Sequence, residues 1–352
     1  MTAPVRLAVV GAGWWAGTHH LPALLAHPDA RVVAVCDPVP ERAAALAGPA
    51  GARTFTTLAE AVGAGGLDAV VVATPSAAHH AAAATALDAG LHTFVEKPMT
   101  LTRADAVDLL RRAEAAAVHL SVGYTHQFEP GAVFAREAVR TQIGRLVQVT
   151  VEFASRAGTL YAAAEHALPR QTAAGQHPEA YSAANGGGQA HTQLSHALGM
   201  LCWVTGDEVA QVCAFTEHQG LSVDVDDVAA FRLRGGATGV AVSSGATAAH
   251  LPARQHLRYL GTDGVVEQDL HHARVTLHRA DGSQVVREPG QHEPAYRAGE
   301  PVRAFVDLIL GRGENLGPGT DAAAAVAATE ALLDAARTGA VTEVPSVRAP
   351  AP

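Results

Sequence analysis

A short apolar strand that leads directly into a glycine-rich turn constrains the fold of this chain more than any other feature. Residues 5–10 are apolar apart from one arginine, and residues 11–16 (G-A-G-W-W-A) follow without a break. In this G-x-G-x-x-A pattern Gly11 permits a tight turn, Gly13 admits a pyrophosphate to the backbone, and Ala16 lets a helix pack closely on a sheet. The next helix offers its N-terminal N–H groups to the phosphates. The pattern predicts a dinucleotide-binding unit.

The second predicted strand, residues 31–37, ends at an acidic residue, Asp37. An acidic side chain at this place accepts hydrogen bonds from the adenosine ribose and repels a 2′-phosphate. The sequence therefore favours NAD over NADP as the cofactor. The dipeptide Asp37-Pro38 also suits a plain turn, and this alternative stays open.

Lys97 is the single lysine of a chain that contains 24 arginines. Lysine offers a compact charge whose pKa falls when the side chain is desolvated, whereas arginine stays protonated. Lys97 also follows a short apolar run, where α/β proteins present their ligand-binding groups. The sequence therefore predicts proton or alkoxide chemistry at Lys97, with chance retention of a surface lysine as the alternative.

Length and composition bound the class of protein. A chain of 352 residues exceeds the roughly 250–300 residues at which a single core stops growing, so two domains are expected. The net charge of −9 argues against nucleic acid or an anionic membrane as a partner, and no apolar run approaches ~18 residues. Three cysteines and an N-terminus without signal-peptide organisation predict a cytoplasmic protein.

In the first third of the chain, β-branched runs alternate with alanine-rich segments, which predicts a parallel, doubly wound sheet. The predicted strands are 5–10, 31–37, 69–74, 92–96 and 118–124. The predicted helices are 18–27, 39–48, 57–63, 78–90 and 102–116.

After residue 125 the pattern becomes that of an antiparallel sheet. The predicted strands are 146–155, 209–216, 228–233, 239–245, 256–261, 264–270, 275–279 and 284–288, and the helices are 189–205, 299–311 and 319–338. We therefore predict an α/β plus α+β protein: an N-terminal Rossmann domain over 1–124 and a C-terminal domain with an open, mostly antiparallel sheet over 125–344. The tail over 345–352 is predicted to be disordered or loosely docked.

Residues 157–184 form a weakly patterned stretch without predicted secondary structure. Compact domains rarely carry unstructured loops longer than ~12–15 residues unless the loops bind something. Polar-tipped side chains of the kind that recognise a polyol lie in or beside it: Arg156, Tyr161, Glu165, His166, Arg170, His177 and Tyr181. A variable surface insertion is the alternative for each of them.

Four further segments, together with the glycine turn, resemble the Gfo/Idh/MocA oxidoreductases, the family of glucose–fructose oxidoreductase and inositol dehydrogenase. Residues 73–79 (A-T-P-S-A-A-H) are similar to the family's T-P-x-x-x-H segment beside the nicotinamide, and residues 96–98 (E-K-P) to its E-K-P signature. Residues 123–128 (G-Y-T-H-Q-F) resemble the segment that crosses into the second domain. Residues 186–196 resemble the G-G-G-x-x-x-D-x-G-x-H helix.

The chain departs from the family pattern at one position. Many members carry an aspartate four residues before the helix histidine, on the same helix face. This chain has Thr192 at that position, with Gln193 beside it. Either side chain can form hydrogen bonds, but neither can hold a charge, so the resemblance does not imply a standard trio of lysine, aspartate and histidine.

Oxidation of a secondary alcohol needs a hydride acceptor, a base for the hydroxyl proton and positive potential on the developing alkoxide. His196 suits the base because the pKa of histidine lies near neutrality. Lys97 can hydrogen-bond the same oxygen and lower its pKa, while Glu96 orients the lysine or contacts the carboxamide region of the nicotinamide. A structural histidine on an amphipathic helix is the alternative for His196.

The motifs and the resemblance together give three sets of site residues. The predicted catalytic residues are Lys97, His196 and Thr192. The predicted cofactor-binding residues are Gly11, Gly13, Trp14, Trp15, Ala16, Asp37, Thr74, Pro75, His79, Glu96 and Lys97. The predicted substrate-binding residues are Tyr124, His126, Arg156, Tyr161, Arg170, Tyr181, Gln193 and His196.

No metal site is predicted, although the chain is rich in histidine. Its adjacent histidine pairs point their side chains apart, and His191 and His196 are five residues apart, not the four of a helical zinc pair. Residues 224–227 (D-V-D-D) lack the glycine and the terminal glutamate of an EF-hand loop.

Three functions are compatible with these features. The first is an NAD-dependent dehydrogenase acting on a secondary hydroxyl of a sugar, amino sugar or cyclitol. The second is a redox-neutral lyase, epimerase or glycosidase that uses tightly bound NAD through transient oxidation, and the third is a non-catalytic NAD-binding regulator. The resemblance further implies that the C-terminal domain binds the substrate and that its sheet pairs subunits into a homodimer or homotetramer.

Overall fold

The computed structural model describes residues 3–166, 178–248 and 250–348. Within these ranges the chain forms two compact units. The first comprises residues 3–123 together with Ala298–Gly319, and the second comprises residues 124–166, 178–297 and 320–348.

The first unit is built on a parallel sheet. Its strands are β1 (Val5–Val10), β2 (Ala30–Cys36), β3 (Arg53–Phe55), β4 (Ala69–Val72), β5 (His92–Val95) and β6 (Leu120–Val122). The strand order is β3-β2-β1-β4-β5-β6, and every pair is parallel. The strand order changes direction between β1 and β4: β2 and β3 lie on one side of β1, and β4 to β6 lie on the other. Doubly wound folds bind their ligands at this switch point. The predicted parallel sheet is confirmed, whereas the short strand β3 was not predicted.

The described residues form ten α-helices, numbered here in chain order. They are α1 (Leu21–Leu25), α2 (Pro40–Ala47), α3 (Leu58–Gly63), α4 (His79–Asp88), α5 (Arg103–Ala116), α6 (Pro130–Thr141), α7 (Gly158–Glu165), α8 (Ser195–Thr205), α9 (Glu300–Ile309) and α10 (Gly319–Thr338). Two of them are preceded by a turn of π-helix, Ala16–His20 before α1 and Ala190–Leu194 before α8. No helix in the described ranges has both the length and the apolar character that a membrane crossing requires.

Helix α9 corrects the predicted domain boundaries. The prediction placed residues 299–311 in the second domain, but α9 packs on the sheet of the first unit. Its apolar face contributes Val302, Phe305 and Val306 to the same core as Leu7 and Phe94, and the rings of Phe94 and Phe305 lie 5.8 Å apart. The chain returns to the first sheet because the apolar face of α9 is buried against the apolar side chains of that core.

The second unit contains a nine-stranded sheet. Its strands are β7 (Leu146–Ala154), β8 (Val209–Glu217), β9 (Asp226–Leu233), β10 (Thr238–Ser244), β11 (Arg254–Gly261), β12 (Gly264–Asp269), β13 (Arg274–Arg279), β14 (Gln284–Arg287) and β15 (Thr342–Glu343). The order is β14-β13-β12-β11-β7-β10-β9-β8-β15, and within the described part of this sheet only β7 and β10 pair in parallel. The predicted mostly antiparallel sheet is therefore confirmed.

Two predictions of irregular structure were wrong where the chain is described. Residues 157–184 were predicted to lack secondary structure, but α7 begins this stretch because Tyr161 packs into a small core with Val223 and Val225. The tail was predicted to be disordered or loosely docked. Its residues 345–348 are held instead, since Arg348 Nη2 lies 2.5 Å from Asp321 Oδ1 and Val347 N donates to Glu208 Oε1 at 3.1 Å.

Candidate functional site

The glycine turn of the first unit has the geometry that its pattern predicts. Gly11 has a φ of +94°, and a Cβ there would lie 2.6 Å from the carbonyl oxygen of Ala73. A side chain at Gly13 would instead meet no protein atom within 4 Å. Ala16 is fully buried in the core, where its small size allows the helix to approach the sheet. Gly11 is thus required by the protein itself, whereas the space beside Gly13 suits a bound pyrophosphate.

Asp37, which was predicted to bind the adenosine ribose, also accepts hydrogen bonds from the protein backbone. Its Oδ2 accepts a hydrogen bond from Ala12 N at 2.8 Å, and its Oδ1 accepts one from Val39 N at 2.9 Å. The carboxylate thereby ties the end of β2 to the glycine turn. Because each carboxylate oxygen has two acceptor positions, the group can still bind the ribose hydroxyls.

His79 joins two loops at the carboxyl end of the first sheet. The ring is buried, with Nδ1 at 2.7 Å from the carbonyl oxygen of Pro98 and Nε2 at 2.9 Å from that of Thr74. Burial lowers the pKa of His79, although both carbonyl contacts act in the opposite direction. His79 therefore fixes Thr74 and Pro75 against the loop that follows Lys97, a role inside the protein that the motif did not specify.

Glu96 is the centre of a buried polar cluster at the end of β5. Its Oε1 accepts a hydrogen bond from Trp15 Nε1 and lies 2.9 Å from His20 Nε2, while Oε2 accepts one from Lys97 N at 3.1 Å. Burial opposes ionisation of this carboxyl, but the hydrogen bond and charge of His20 and the charge of Lys97 outweigh it, so the pKa of Glu96 falls below its ordinary value. Glu96 is therefore a carboxylate.

Lys97 lies beside this carboxylate and is partly exposed. Desolvation by the surrounding protein lowers the pKa of Lys97 to about 8, and the charge of Glu96 acts against this shift. A lysine with such a pKa can both donate a hydrogen bond and release a proton near neutral pH. The chemical role of Lys97 stays a prediction, with which this lowered pKa is compatible.

Trp14 and Trp15 line the start of the first helix of the same unit. Their rings lie 5.7 Å apart, and the ring of Trp15 lies 4.4 Å from that of His19. The indole N–H of Trp15 donates a hydrogen bond to Glu96 Oε1 at 2.9 Å, so Trp15 supports the loop that carries Lys97, while its predicted contact with the cofactor stays a prediction. This link was missed in the sequence because Trp15 and Glu96 are 81 residues apart.

In the second unit, His196 lies among aromatic side chains. Its ring stacks on Phe153 at a centroid distance of 5.9 Å and an angle of 4°, and the rings of His126 and Tyr124 approach it edge-on at 5.9 and 6.4 Å. His126 also meets Tyr296 at 5.0 Å. The structure therefore brings together three predicted site residues, His196, His126 and Tyr124, and adds Tyr296, which no motif indicated.

Thr192, which replaces the family aspartate, takes part in a buried hydrogen-bond network. Its Oγ1 donates to the carbonyl oxygen of Gly188 at 2.8 Å and lies 2.6 Å from the hydroxyl of Tyr161. The same hydroxyl also lies 3.1 Å from Gln189 Oε1, and Gln189 Nε2 donates to Ser243 Oγ at 2.8 Å. Burial raises the pKa of Tyr161, so this phenol is neutral. Thr192 and Tyr161 thus connect the start of the helix segment to α7 and the sheet.

The remaining predicted substrate-binding residues have varied surroundings. Arg156 is exposed, and its guanidinium donates to the carbonyl oxygen of Leu251. Tyr181 lies 6.2 Å from the ring of Tyr161, and Gln193 is partly exposed between Thr192 and α8. Arg170 and His177 lie outside the described residues. Among the described residues no group of three His, Cys, Asp or Glu side chains is placed to hold a metal ion.

Two glycines of the triple-glycine segment are explained by close contacts. A Cβ at Gly187 would lie 1.8 Å from the carbonyl oxygen of Tyr181, and one at Gly188 would lie 2.2 Å from Oδ1 of Asp224. Sequence reasoning missed Asp224, which lies 36 residues after Gly188 and was considered only as part of a calcium loop. The acidic run before a predicted strand was the available signal.

A doubly wound parallel sheet, a glycine turn at its switch point and an acidic residue at the end of β2 define a dinucleotide-binding Rossmann fold. Residues 5–124 match the family model described as an oxidoreductase family with an NAD-binding Rossmann fold, and residues 133–267 match the GFO/IDH/MocA C-terminal domain. The chain belongs to the Gfo/Idh/MocA oxidoreductase family, and its cofactor is NAD.

Named relatives agree with this membership over part of their length. The chain is 35% identical over 129 residues to an inositol 2-dehydrogenase of Leifsonia xyli subsp. xyli, an alignment that covers 36% of this chain and 38% of the relative. GenD2 from gentamicin A biosynthesis, solved in complex with NAD, is 26% identical with a TM-score of 0.76 and 98% coverage of each chain. An oxidoreductase domain protein from Kribbella flavida shares the fold with a TM-score of 0.82 at 20% identity, covering 98% of this chain and 100% of that chain.

Proposed function

We propose that the protein is an NAD-dependent dehydrogenase that transfers a hydride between the nicotinamide and a secondary hydroxyl of a sugar, amino sugar or cyclitol. The observation that carries the proposal is Lys97, held beside the Glu96 carboxylate at the end of β5 with a pKa of about 8. The similarity to an inositol 2-dehydrogenase and to GenD2 from gentamicin A biosynthesis supports a polyol or amino sugar substrate.

The proposed chemistry gives each predicted catalytic residue a separate role. NAD, held by the glycine turn, Asp37 and the loops at Thr74 and Glu96, supplies the hydride acceptor when bound. Lys97 donates a hydrogen bond to the substrate oxygen and stabilises the alkoxide that develops there. His196 accepts the hydroxyl proton, since an imidazole titrates near neutral pH. Thr192 and Tyr161 hold the segment that carries His196.

Replacing His196 by Asn is expected to lower kcat/KM by roughly 10²–10⁴, the usual contribution of a general base. The assay follows reduced-nicotinamide absorbance with NAD and a panel of inositols, hexoses and amino sugars, while calorimetry gives the Kd of NAD. His271→Asn, a change of an exposed histidine in the same unit, serves as the control and should keep wild-type kinetics.

Two results would count against this proposal. An unchanged kcat/KM in His196→Asn would remove the histidine from the mechanism. Consumption of a substrate by the wild-type protein without net reduced cofactor would replace the dehydrogenase by the redox-neutral alternative.

We also propose that the outer face of the nine-stranded sheet pairs with a second copy of the chain. Phe215, Val228, Val240 and Val242 are 74, 51, 44 and 39% exposed and lie on adjacent strands, since Val228 pairs with both Phe215 and Val242. Such a patch on one sheet face is typical of a protein interface. Neighbouring strands carry both signs of charge on the same face, including Arg258 and Glu267, which suits a self-complementary two-fold contact.

Phe215→Glu is expected to shift the protein from an oligomer to a monomer, because the new charge would be buried at the contact without a partner. Light scattering coupled to size-exclusion chromatography gives the mass. Leu25→Glu, at a leucine that is 48% exposed in the first unit, is the control and should not change it. A wild-type protein that is monomeric at micromolar concentration would refute the proposed contact.

We also propose a cytoplasmic location for the protein. Its three free cysteines support this proposal, because disulfides are rare in the reducing cytoplasm.

A further inference from the structure

A buried carboxyl group of the second unit takes no part in the proposed mechanism. Asp227 is fully buried at the start of β9, and neither of its carboxyl oxygens has a hydrogen-bond donor among the described residues. A buried ionised carboxylate without donors would be very costly, so such groups take up a proton. The O–H of a protonated Asp227 in turn needs a hydrogen-bond acceptor.

Asp224, three residues earlier and 5% exposed, is the neighbouring acceptor. Its Oδ2 accepts a hydrogen bond from Ala190 N at 2.6 Å, and its backbone oxygen accepts one from Gln189 N at 2.9 Å. Its Oδ1 lies against Gly188, where any Cβ would collide with it. Asp224 therefore fixes the first residues of the segment that continues through Thr192 to His196.

The environment of Asp227 favours one proton for the pair. Burial raises the pKa of Asp227 to about 9, and the charge of Asp224, a hydrogen bond between the two carboxyls and the charge of Asp226 act in the same direction. The other titratable groups nearby are Tyr161 on α7, whose pKa is raised by burial, and His191 on the helix segment, whose pKa burial lowers. Opposite Asp227 in the sheet lie Thr216 on β8 and Ser243 on β10, which do not titrate.

We propose that Asp224 and Asp227 form a singly protonated carboxyl pair that anchors the start of the helix segment carrying Thr192 and His196, which makes both aspartates positioning residues for His196. The carboxyl pair rests on the burial of both side chains and on the lack of a donor to Asp227 among the described residues, whereas its effect on catalysis rests on the function proposed for His196. Protonated Asp227 donates to Asp224, and the Asp224 carboxylate keeps its second oxygen for Ala190 N.

This arrangement makes stability depend on pH with a definite sign. The folded protein holds the Asp227 proton up to a pH of about 9, whereas the unfolded chain releases it near the ordinary aspartate value of about 3.9. The folded state therefore binds more protons than the unfolded state between these values. The stability that this group contributes is fully present at acidic pH and is lost progressively as the pH rises through this window.

Asp227→Asn tests the pair because an amide can donate to Asp224 but cannot lose a proton. The melting temperature of the wild-type protein is expected to fall between about pH 6 and pH 9, and Asp227→Asn should flatten that fall. Asp226→Asn, at the partly exposed neighbour, is the matched control: it removes only the smallest contribution to the raised pKa of Asp227, so it should keep most of the wild-type fall. An equal fall in Asp227→Asn and in the wild type would overturn the proposal.

Infrared spectroscopy of the wild-type protein tests the same proton without relying on a variant that folds. A protonated-carboxyl C=O stretch is expected at neutral pH and should disappear as the pH passes about 9. Its absence at neutral pH would show that Asp227 is ionised and would refute the pair.

The positioning role is tested by comparing Asp224→Asn with Asp224→Ala. Asparagine keeps an acceptor for Ala190 N and alanine does not, so kcat should be at least about tenfold higher in Asp224→Asn, with the Kd of NAD equal in both. Equal kcat values in the two variants would refute positioning. If no substrate is turned over at all, the proposed function has failed, while the melting and infrared results still decide the carboxyl pair.

Discussion

Replacing Lys97 by Met is expected to lower kcat by a factor of roughly 10²–10⁴, because the substrate oxygen loses the group that stabilises its developing charge. Methionine keeps the length and the apolar stem of the side chain, so the fold should be retained. Since the ammonium form is the active one, kcat/KM of the wild type should fall as the pH rises through about 8, the pKa of Lys97. That decrease should be absent from the residual activity of the variant.

Lys97→Arg tests whether a positive charge alone is sufficient at this position. Arginine restores the charge, but its planar guanidinium is bulkier beside Glu96 than the compact ammonium group of lysine. We expect it to keep the wild-type affinity for NAD and only a small part of kcat, as measured by steady-state kinetics and calorimetry. Wild-type kcat in Lys97→Met would show that the lone lysine has no chemical role.

Gly11→Ala is expected to lower the stability of the fold, whereas Gly13→Ala is expected to weaken the binding of NAD and to leave stability almost unchanged. At Gly11, a Cβ would lie 2.6 Å from Ala73 O in a backbone with φ +94°, so the free energy of unfolding should fall by roughly 2–5 kcal/mol. At Gly13, no protein atom lies within 4 Å of the Cβ, so the free energy of unfolding should change by less than about 0.5 kcal/mol.

The same pair separates folding from binding in the cofactor titration. The Cβ of Gly13→Ala enters the space through which a pyrophosphate approaches the backbone, so the Kd of NAD should rise at least about tenfold, or roughly 1.4 kcal/mol. Chemical denaturation and calorimetry on each variant provide the comparison. A Gly13→Ala protein with wild-type NAD affinity would contradict the assigned position of the cofactor.

The local part of the candidate site could be predicted from the sequence because it depends on short segments. The glycine turn follows β1 directly, Asp37 comes directly after β2, and Glu96 with Lys97 comes directly after β5. Parallel strands place their carboxyl ends at one edge of a sheet, so residues that end such strands meet there. The departure at Thr192 was also visible, but its partner Tyr161 was not, because that contact joins residues 31 apart.

Predictions that depended on long-range packing were the ones that failed or were missing. The sequence assigned α9 to the second domain because it follows the antiparallel strands, yet its apolar face belongs to the core that contains Phe94. The tail was expected to be loose because it is rich in proline and alanine, yet Arg348 pairs with Asp321. Neither the core around Phe94 as the partner of α9 nor Asp321 as the partner of Arg348 is indicated by periodicity or by a local motif.

The amino-acid sequence by itself determined most of the strands and helices, the dinucleotide-binding turn, the choice of NAD and the identity of the lone lysine, whereas β3, α6, α7 and β15 were not predicted. Each of the predicted features follows from residues that are neighbours along the chain, where backbone freedom, periodicity and charge act locally. Only the tertiary structure decided that Trp15 and His20 surround Glu96, that Thr192 bonds to Tyr161 and that Asp224 holds Ala190. These contacts depend on which segments pack together, and burial then sets the protonation of Lys97 and Asp227.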